Sequence, residues 1–504
     1  VVLSADDPGC HSSQNEQDNR AYARLAGMPC FEPATAQEAK DMTREALLLS
    51  AKWQQPVLVR TTTRVNHLRG PVRFDPLPAA KRTGSFEKEP MRFVPIPAVA
   101  RARHPHLVRQ LDTIQKEIQT DAWTTVTGTG PIGIITSSIC RAYVQDALYD
   151  MPQADQFSVL ELKITYPLPE QLLLEFVQGR EKVVVVEELE PFLETAVREL
   201  AQRHGLSLEV TGKGETLPRC GEFSTRIVAN ALAQTIQGQP PSEPACPTQS
   251  NLPNRPPNLC AGCSHRATYH AVRQVFGDEA IYSSDIGCYT LGILPPLRTA
   301  DFLFCMGSSI SGASGMATAT GKDVVAFIGD STFFHSGITG LVNAVYNDHN
   351  ILVVVLDNRT TAMTGHQPHP GVDQTALGPN AHKVDIEQIV RGCGVSQVRK
   401  TKALNHKATR EALQDFKTQR GVRVLIAEDP CALFAKRVLG KKTPQVAYVE
   451  ENGPDVRHCA EQLACPAFTI TGDTVDINAD HCTGCMLCVQ VCQGIKARKR
   501  SDNG

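Results

Sequence analysis

The most chemically specific feature of the sequence is a group of cysteines near the C-terminus. Of the 17 cysteines in 504 residues, six fall between positions 459 and 492. Four of these have the spacing C-x2-C-x2-C-x3-C: Cys482, Cys485, Cys488 and Cys492. Three thiolates this close in sequence can hold one face of a [4Fe–4S] cluster while a more distant cysteine supplies the fourth ligand. Chance clustering or a zinc site is the weaker alternative.

Two clusters would need a second complete run, because the fourth cysteine of each run binds the other cluster. The upstream run is incomplete. Cys465 precedes a proline, as the last cysteine of such a run does, and Cys459 fits the third position only across a lengthened gap. Val456 and Gly453 stand where the first two cysteines belong. We therefore predict one intact cluster, with Cys459 and Cys492 as the remnant of a second. The ligands of the intact cluster would be Cys465, Cys482, Cys485 and Cys488.

A second motif lies where two predicted strands end. The stretches DVVAFIGDS (323–331) and ILVVVLDN (351–358) each read as a buried strand followed by polar residues, with a helix between them. In a right-handed βαβ unit, both strand ends meet at one edge of the sheet. Gly329 would let the backbone turn close to a phosphate, and Asp330 and Asn358 would meet at that edge. Their oxygens beside a diphosphate suit Mg²⁺, although an ordinary crossover with a polar loop has the same pattern.

These residues resemble a known cofactor motif. The sequence G-D-S…D-N is similar to the G-D-G…N-N motif of thiamine-diphosphate enzymes, with Ser331 in place of the second glycine. The resemblance implies that Gly329 and Ser331 bind the cofactor together with the residues that hold its magnesium ion. The implied magnesium ligands are Asp330, Asn358 and the backbone carbonyl of Thr360.

Longer segments resemble one family of these enzymes, the indolepyruvate ferredoxin oxidoreductases, which are 2-oxoacid:ferredoxin oxidoreductases. The segments are DDPG (6–9), HSSQNEQDNR (11–20), RTTTR (60–64), TYPLP (165–169), GDSTFFHSG (329–337) and LDNRTTAMTGHQPHP (356–370). The resemblance extends from the first residue to about Gly494. It implies a thiamine-diphosphate and iron–sulfur subunit that oxidatively decarboxylates aryl pyruvates, indolepyruvate first, to the acyl-CoA. The implied partners are a smaller β subunit, ferredoxin, coenzyme A and the 2-oxoacid substrate.

The resemblance also bears on the cysteines outside the C-terminal group. One set is similar to the dispersed ligands of the cluster nearest the cofactor in pyruvate:ferredoxin oxidoreductases: Cys260, Cys263, Cys288 and Cys431. A structural role or a zinc site remains open for this set. The other cysteines have no ligand spacing and are expected to be buried thiols. They are Cys10, Cys30, Cys140, Cys220, Cys246, Cys305 and Cys393.

Three histidines beside the motif are candidates for proton transfer at the cofactor. We rank His335 first because it is nearest in sequence to the predicted metal loop, and His366 is a further catalytic candidate. His369 follows three residues later. For each of them a structural, hydrogen-bonded role is at least as common.

The N-terminus suggests a truncated first domain. The chain has no initiator methionine and opens on what reads as the end of a buried strand. In the resembling family, a glutamate upstream of the DDPG segment activates the cofactor, and we expect it to lie in the missing part. Three alternative functions stay open: a ferredoxin oxidoreductase for another 2-oxoacid, a non-oxidative decarboxylase, and an electron-transfer or remnant subunit that has lost catalysis. The decarboxylase would have no use for the cysteine-rich tail.

Composition narrows the classes of function. A formal net charge of −2 argues against a nucleic-acid-binding protein, which needs surplus lysine and arginine. No apolar run approaches the length of about 20 residues that spans a bilayer, and the first residues do not read as a signal peptide. Clustered cysteines in such a chain favour a reducing compartment. We therefore expect a cytoplasmic protein that binds neither nucleic acid nor membrane.

The elements that must position these residues indicate an α/β fold. We predict several parallel-sheet domains of the thiamine-diphosphate-enzyme type and a small C-terminal ferredoxin-like iron–sulfur domain. Predicted strands are 57–60, 132–136, 157–162 and 182–187, and predicted helices are 36–52 and 191–204. The predicted domains are 1–70 (the C-terminal part of a truncated pyrimidine-binding domain), 71–119 (linker and connecting region), 120–237 (transketolase C-terminal-like), 238–257 (proline-rich linker), 258–445 (diphosphate-binding) and 446–504 (ferredoxin-type [4Fe–4S]).

Overall fold

The chain folds into two compact units, residues 1–248 and 249–504. The computed structural model describes residues 1–76, 86–120, 122–214, 216–238, 256–440 and 443–500. The boundary between the units falls inside the predicted proline-rich linker 238–257, most of which lies outside the described residues. Among the helices that are described, none is long and apolar enough to cross a membrane.

The N-terminal unit contains two β-sheets with helices packed on them. Its strands are β1 (Val2–Asp6), β2 (Cys30–Phe31), β3 (Leu58–Thr62), β4 (Thr124–Thr127), β5 (Ile132–Ser137), β6 (Phe157–Leu162), β7 (Ile164–Tyr166), β8 (Lys182–Val186) and β9 (Glu209–Thr211). Its helices are α1 (Arg20–Ala26), α2 (Ala36–Trp53), α3 (Thr63–His67), α4 (Pro90–Phe93), α5 (Pro97–Glu117), α6 (Cys140–Tyr149), α7 (Glu170–Val177), α8 (Phe192–Arg203) and α9 (Thr225–Gln237).

The two sheets of the N-terminal unit differ in size and order. One has the order β1-β3-β2-β7, and the other has the order β4-β6-β5-β8-β9. In the second sheet β5, β6, β8 and β9 run parallel and β4 is antiparallel at the edge. The strands and helices predicted in this region are present within two residues of the expected bounds. Two features were not predicted: β7 joins the sheet of the first 70 residues, and the expected linker contains the 21-residue helix α5.

The C-terminal unit contains one five-stranded sheet and a small tail. Its strands are β10 (Ile281–Ser283), β11 (Val324–Gly329), β12 (Leu352–Asp357), β13 (Gln374–Thr375), β14 (Gly378–Pro379), β15 (Gln397–Lys402), β16 (Arg423–Glu428), β17 (Gln445–Val449), β18 (Phe468–Thr471), β19 (Thr474–Ile477) and β20 (Ile495–Lys499). Its helices are α10 (Ser264–Phe276), α11 (Ser308–Thr320), α12 (Asp330–Thr332), α13 (Ile338–Tyr346), α14 (Ile386–Gly392), α15 (His406–Thr418), α16 (Ala432–Arg437), α17 (Pro454–Leu463) and α18 (Leu487–Val491).

The five-stranded sheet is fully parallel and buried on both faces. Its order is β10-β11-β12-β16-β15. Alternate residues of β11 face opposite cores, with Val325 and Phe327 in one and Val324 and Ala326 in the other. Such continuous apolar runs are typical of a parallel sheet covered by helices on both sides. The predicted α/β fold class is confirmed, and the sheet brings the C-terminal ends of β10, β11, β12 and β16 to one edge.

The tail, which follows this sheet, is built from two antiparallel strand pairs and two helices. β17 pairs with β20, β18 pairs with β19, and α17 and α18 lie between the strands in sequence. Its small core is formed largely by short aliphatic side chains and cysteines. This arrangement agrees with the small C-terminal domain predicted from the cysteine spacing.

Candidate functional site

The predicted metal ligands lie at the C-terminal edge of the parallel sheet. β11 ends at Gly329 and β12 ends at Asp357, and these strands are adjacent and parallel. Asp330, the first residue of α12, and Asn358, the first residue after β12, therefore lie at the same edge. The backbone N–H of Arg359 donates to Asp330 Oδ2 over 2.8 Å, which ties the two segments together. Asp330, Asn358 and Thr360 are all buried.

Gly329 is required here for a different reason than the one the sequence suggested. Its backbone does not have a positive φ. A Cβ atom at this position would lie 2.6 Å from the ring of Tyr289, which packs against the end of β11. Tyr289 is held there because its hydroxyl donates to the carbonyl of Ile286 over 2.7 Å. The close approach of this ring therefore excludes any side chain at Gly329.

His369 is the histidine that contacts Asp330. Its Nε2 lies 3.0 Å from Asp330 Oδ2, and its Nδ1 accepts the backbone N–H of Gly371 over 3.1 Å. Because Nδ1 is an acceptor, the neutral ring carries its proton on Nε2 and donates it to the carboxylate. The ring thus holds Asp330 in one orientation.

A second buried histidine, which sequence reasoning missed, contacts Asn358. His265 Nε2 lies 3.2 Å from Asn358 Nδ2, and burial lowers the pKa of His265 to about 4. The neutral imidazole can therefore accept the amide N–H, which leaves Asn358 Oδ1 facing the other way. This oxygen accepts the backbone N–H of Thr360 over 3.2 Å. The hydroxyl of Thr360 is buried with no hydrogen-bond partner in the described residues.

Two carboxylates at the sheet edge, those of Asp330 and Asp357, lie close enough to repel each other. Burial and the nearby charge of Asp330 raise the pKa of Asp357 to about 7. The Arg359 guanidinium is shared between Asp357, at 3.5 Å, and Glu428. A divalent cation next to Asp330 would relieve this repulsion, and oxygen donors are what Mg²⁺ binds. The side chains present therefore fit the predicted magnesium ion.

The four dispersed cysteines (260, 263, 288 and 431), called the first set from here on, line one pocket beside this edge, the first cysteine pocket. Cys288 follows β10 and Cys431 follows β16, while Cys260 and Cys263 precede α10. The same pocket is lined by Asn358 and by two histidines, His265 and His366. The backbone N–H of Cys431 donates to the carbonyl of Asn358 over 2.9 Å. The four cysteines, far apart in sequence, are thus brought together against the predicted metal ligand.

The predicted tail ligands line a second pocket. It is bounded by Cys465, Cys482, Cys485 and Cys488, and Cys263 of the first set lies in its wall. Burial, and then the charges of the other three tail cysteines, raise the pKa of Cys488 to about 12. The two pockets meet where the loop before α10 packs on the tail, since a Cβ on Gly262 would overlap the side chain of Thr483.

Each pocket is lined by at least four cysteines, the side chains that ligate iron–sulfur clusters. The described residues contain no group of three or more His, Cys, Asp and Glu side chains that could hold one ion. Cluster ligands surround a cubane of iron and sulfide and do not converge on a point. The predicted magnesium ligands include only one side chain of those types, because the others are an amide and a backbone carbonyl.

A buried arginine between the two pockets also fits negatively charged clusters. Arg266 is 2% exposed, and its hydrogen-bond acceptors in the described residues are all carbonyl oxygens. Its Nε has no partner there. Burial lowers the pKa of Arg266. The thiols of both cysteine sets raise it, with Cys465 contributing more than Cys263. A buried cation without a carboxylate is costly unless negative charge is supplied nearby.

Comparison with known proteins identifies the family. The thiamine pyrophosphate enzyme family, through its C-terminal TPP-binding domain, matches residues 285–427. The indolepyruvate oxidoreductase subunit IorA of Methanothermobacter thermautotrophicus is 43% identical over 502 residues, which cover 98% of this chain and 80% of that protein. The IorA subunit of Pyrococcus horikoshii is 38% identical over 524 residues with the same coverage.

The chain belongs to the IorA family. It is accordingly a subunit of an oxidoreductase that contains a thiamine-pyrophosphate-binding domain, as the sequence motifs predicted. Among solved structures, the 2-oxoglutarate:ferredoxin oxidoreductase of Magnetococcus marinus matches 36% of this chain and 69% of its own, with 18% identity and a TM-score of 0.33. A score this low supports no further argument.

In this IorA-family chain, the two histidines ranked for catalysis have different surroundings. His335 is exposed, and its Nδ1 lies 3.1 Å from the hydroxyl of Ser336, so the structure does not bring it to Asp330. His366 lines the first cysteine pocket, and its Nδ1 is buried without a hydrogen-bond partner in the described residues.

Ser331, predicted to bind the cofactor, lies beside Thr361, whose hydroxyl donates to Ser331 Oγ over 2.8 Å.

The remaining cysteines only partly follow the expectation of buried thiols. Cys30 and Cys140 are buried, and burial raises the pKa of both thiols. Cys393 is half-buried, whereas the prediction is wrong for three that are exposed: Cys10, Cys220 and Cys305. These three lie in loops, where no apolar periodicity marks a buried side. Cys246 lies outside the described residues.

Proposed function

We propose that the chain is the catalytic subunit of an enzyme that oxidatively decarboxylates aryl pyruvates, indolepyruvate first, to the acyl-CoA and CO₂. Two electrons are released per turnover and pass one at a time, through iron–sulfur clusters, to two molecules of oxidised ferredoxin. The observation that carries this proposal is the shared pocket of Cys260, Cys263, Cys288 and Cys431 with Asn358. An electron acceptor held by these thiolates would touch the residue proposed to hold the cofactor's metal.

The cofactor would be anchored by the segments that follow β11 and β12. Asp330, Asn358 and the carbonyl of Thr360 would hold Mg²⁺, and the ion would in turn hold the diphosphate. Gly329 and Ser331 would lie against the phosphates at the start of the helical segment that begins with α12. Thiamine diphosphate supplies, when bound, an electron sink for decarboxylation of a 2-oxoacid.

The histidines have separate tasks in this proposal. His369 donates to Asp330 and so positions a metal ligand, which makes it a positioning residue. His366 faces the cysteine pocket next to Asn358 and has an Nδ1 without a hydrogen-bond partner in the described residues. Its position in this pocket makes it the better candidate for exchanging a proton with substrate. His335, being exposed and away from Asp330, has a weaker claim to either task.

Electrons would leave along the two cysteine pockets. Cys263 borders both, and Gly262 brings the loop before α10 against Thr483 of the tail. A cluster on Cys260, Cys263, Cys288 and Cys431 would therefore be followed by one on Cys465, Cys482, Cys485 and Cys488. Two neighbouring one-electron carriers suit a substrate that releases a pair of electrons.

The substrate and the partners follow from the family. The relatives are named as indolepyruvate oxidoreductase subunits, and we extend that substrate to this chain. A smaller β subunit would complete the enzyme, coenzyme A would accept the acyl group, and ferredoxin would accept the electrons.

The test is an anaerobic assay of the full-length subunit co-expressed with its smaller partner. Reduction of ferredoxin or a viologen dye should require indolepyruvate and coenzyme A, and phenylpyruvate should replace indolepyruvate better than pyruvate or 2-oxoglutarate does. Asp330→Asn should abolish the reaction because it weakens the magnesium site. A preference for pyruvate or 2-oxoglutarate would overturn the substrate assignment. Decarboxylation without dye reduction would overturn the electron pathway.

A further inference from the structure

Two cysteines of the tail belong to neither set of four. Cys459 lies on α17 and Cys492 directly follows α18, and a disulfide joins them with their Cα atoms 6.0 Å apart. Both side chains are nearly buried, at 9% and 6% exposure. Their Cα separation is in the range that a disulfide spans without moving the backbone.

The surroundings of this pair lack the further ligands that a cluster would need. Val456, one turn before Cys459 on α17, is buried in the tail core. Its Cγ2 lies 2.4 Å from where a Cβ on Gly494 would be, so the side chain fills the gap beside the backbone that follows α18. A valine thus stands on α17 where a further ligand would be needed, and the cleft beside the pair is lined by no other described cysteine. The two thiols are therefore left with each other as partners.

The pair is nevertheless reachable from solvent. Cys459 and Cys492 line an open cleft of about 550 Å³ between the tail and α10. The cleft is also lined by Arg273 and His458, and a cleft of this size admits a small-molecule thiol or an exposed cysteine of another protein. Solvent access of this kind separates an exchangeable disulfide from an inert one.

The disulfide closes a loop around the tail pocket. Cys459 and Cys492 are 33 residues apart, and all four cysteines of the tail pocket lie between them in sequence. A cross-link that closes a loop of this length substantially lowers the conformational entropy of the unfolded chain. Breaking it removes the covalent link between α17 and the residue that follows α18, so that only the apolar core of the tail holds them together.

We propose that Cys459 and Cys492 form a reversible thiol–disulfide couple that locks the cluster-bearing segment of the tail. In the reductive direction, a dithiol transfers two electrons and two protons. The Cys459–Cys492 bond breaks, two thiols form, and the dithiol becomes a disulfide. In the oxidative direction, a disulfide compound takes the same two electrons and two protons back. The couple responds to a thiol pool and does not carry the one-electron current of the clusters.

The test uses the anaerobically purified holoenzyme, incubated in dithiothreitol buffers of graded ratio of reduced to oxidised form. After acid quenching and alkylation, peptide mapping should find Cys459 and Cys492 linked at low ratios. At high ratios it should find both alkylated, changing together as one two-electron step. Chelator-driven loss of iron should be about tenfold faster or more in the reduced samples, because the closing cross-link is gone.

Two serine variants provide the controls. Cys459→Ser should lose iron at the reduced wild-type rate in every buffer, whereas Cys393→Ser, at a half-buried cysteine outside both sets, should behave as wild type. Iron and acid-labile sulfide are measured in the same samples. A protein that lacks the tail cluster is thereby distinguished from one in which Cys459 and Cys492 do not interconvert between thiols and disulfide. The proposal would be overturned if Cys459 and Cys492 were alkylated in every buffer. It would also be overturned if no ratio of reduced to oxidised dithiothreitol reduced their disulfide in the folded protein.

Discussion

Arg266 offers the sharpest test of whether negative charge occupies the two cysteine pockets. Arg266→Met removes the charge and keeps most of the side-chain length. The guanidinium donates to the carbonyls of Leu463, Ala464 and Leu259. At about 1 kcal/mol per hydrogen bond, these contribute about 3 kcal/mol. Methionine also removes the cost of a buried, unpaired cation, which is of similar size. The cluster-free protein should therefore change little in its free energy of unfolding.

The cluster-loaded protein should respond in its reduction potentials. Reduction adds one negative charge near Arg266. At an effective dielectric constant of about 20, two unit charges separated by roughly 8–14 Å attract each other by about 1–2 kcal/mol, which is the attraction that Arg266→Met would remove at such a distance. For a one-electron couple this lowers the midpoint potential by about 40–90 mV. The assay is a redox titration followed by electron paramagnetic resonance, with Arg266→Lys as the charge-conserving control.

The outcome separates two explanations of the buried arginine. If Arg266 balances cluster charge, Arg266→Met shifts the potentials downward and Arg266→Lys shifts them much less. If Arg266 only ties backbone segments together, both variants lower stability alike and leave the potentials unchanged. Potentials of Arg266→Met that coincide with those of the wild type would refute the reasoning.

Three further predictions concern the sheet edge, the N-terminal unit and the tail. Gly329→Ala should raise the Kd for thiamine diphosphate by roughly tenfold or more, since its Cβ would overlap the Tyr289 ring and such overpacking costs about 1–3 kcal/mol. Gly315→Ala, where nothing lies near the added Cβ, should leave that Kd unchanged. Burial raises the pKa of Glu188 to about 7 from an ordinary value of 4.5, so the folded chain holds a proton there that the unfolded chain releases. The stability of the N-terminal unit should therefore fall by about 3 kcal/mol as the pH rises from about 4.5 to 7, and Glu188→Gln should remove this slope in hydrogen-exchange measurements. Cys485→Ser should lose about four irons per chain, and an unchanged iron content would contradict the tail ligand set.

The sheet edge could be predicted because its signal is local. The apolar runs that became β11 and β12 predict parallel strands, and topology then places Asp330 and Asn358 together. The spacing of the tail cysteines is equally local, and it predicted which four would share a pocket. What brings Cys288 and Cys431 to Cys260 is the parallel sheet itself, since both follow strands that end at the same edge.

The rest depends on packing between distant segments, which no local pattern records. His265 and Arg266 follow the C-x-x-C pair, but their burial arises only when α10 packs on the sheet and the tail. His335 was ranked ahead of His369 because it is closer to Asp330 in sequence. In the structure it is His369, 39 residues after Asp330, whose ring contacts the Asp330 carboxylate. Helix α5 was hidden because it contains Pro105 and a weak apolar stripe.

We propose that this chain holds thiamine diphosphate and two iron–sulfur clusters in adjacent pockets. The most direct measurement is iron, acid-labile sulfide and thiamine diphosphate per chain on anaerobically purified protein. We expect about eight irons and eight sulfides with bound cofactor. About four irons would leave a single cluster and contradict the paired pockets. Iron near zero under those conditions would mean that neither pocket holds a cluster and that the proposed electron transfer is wrong.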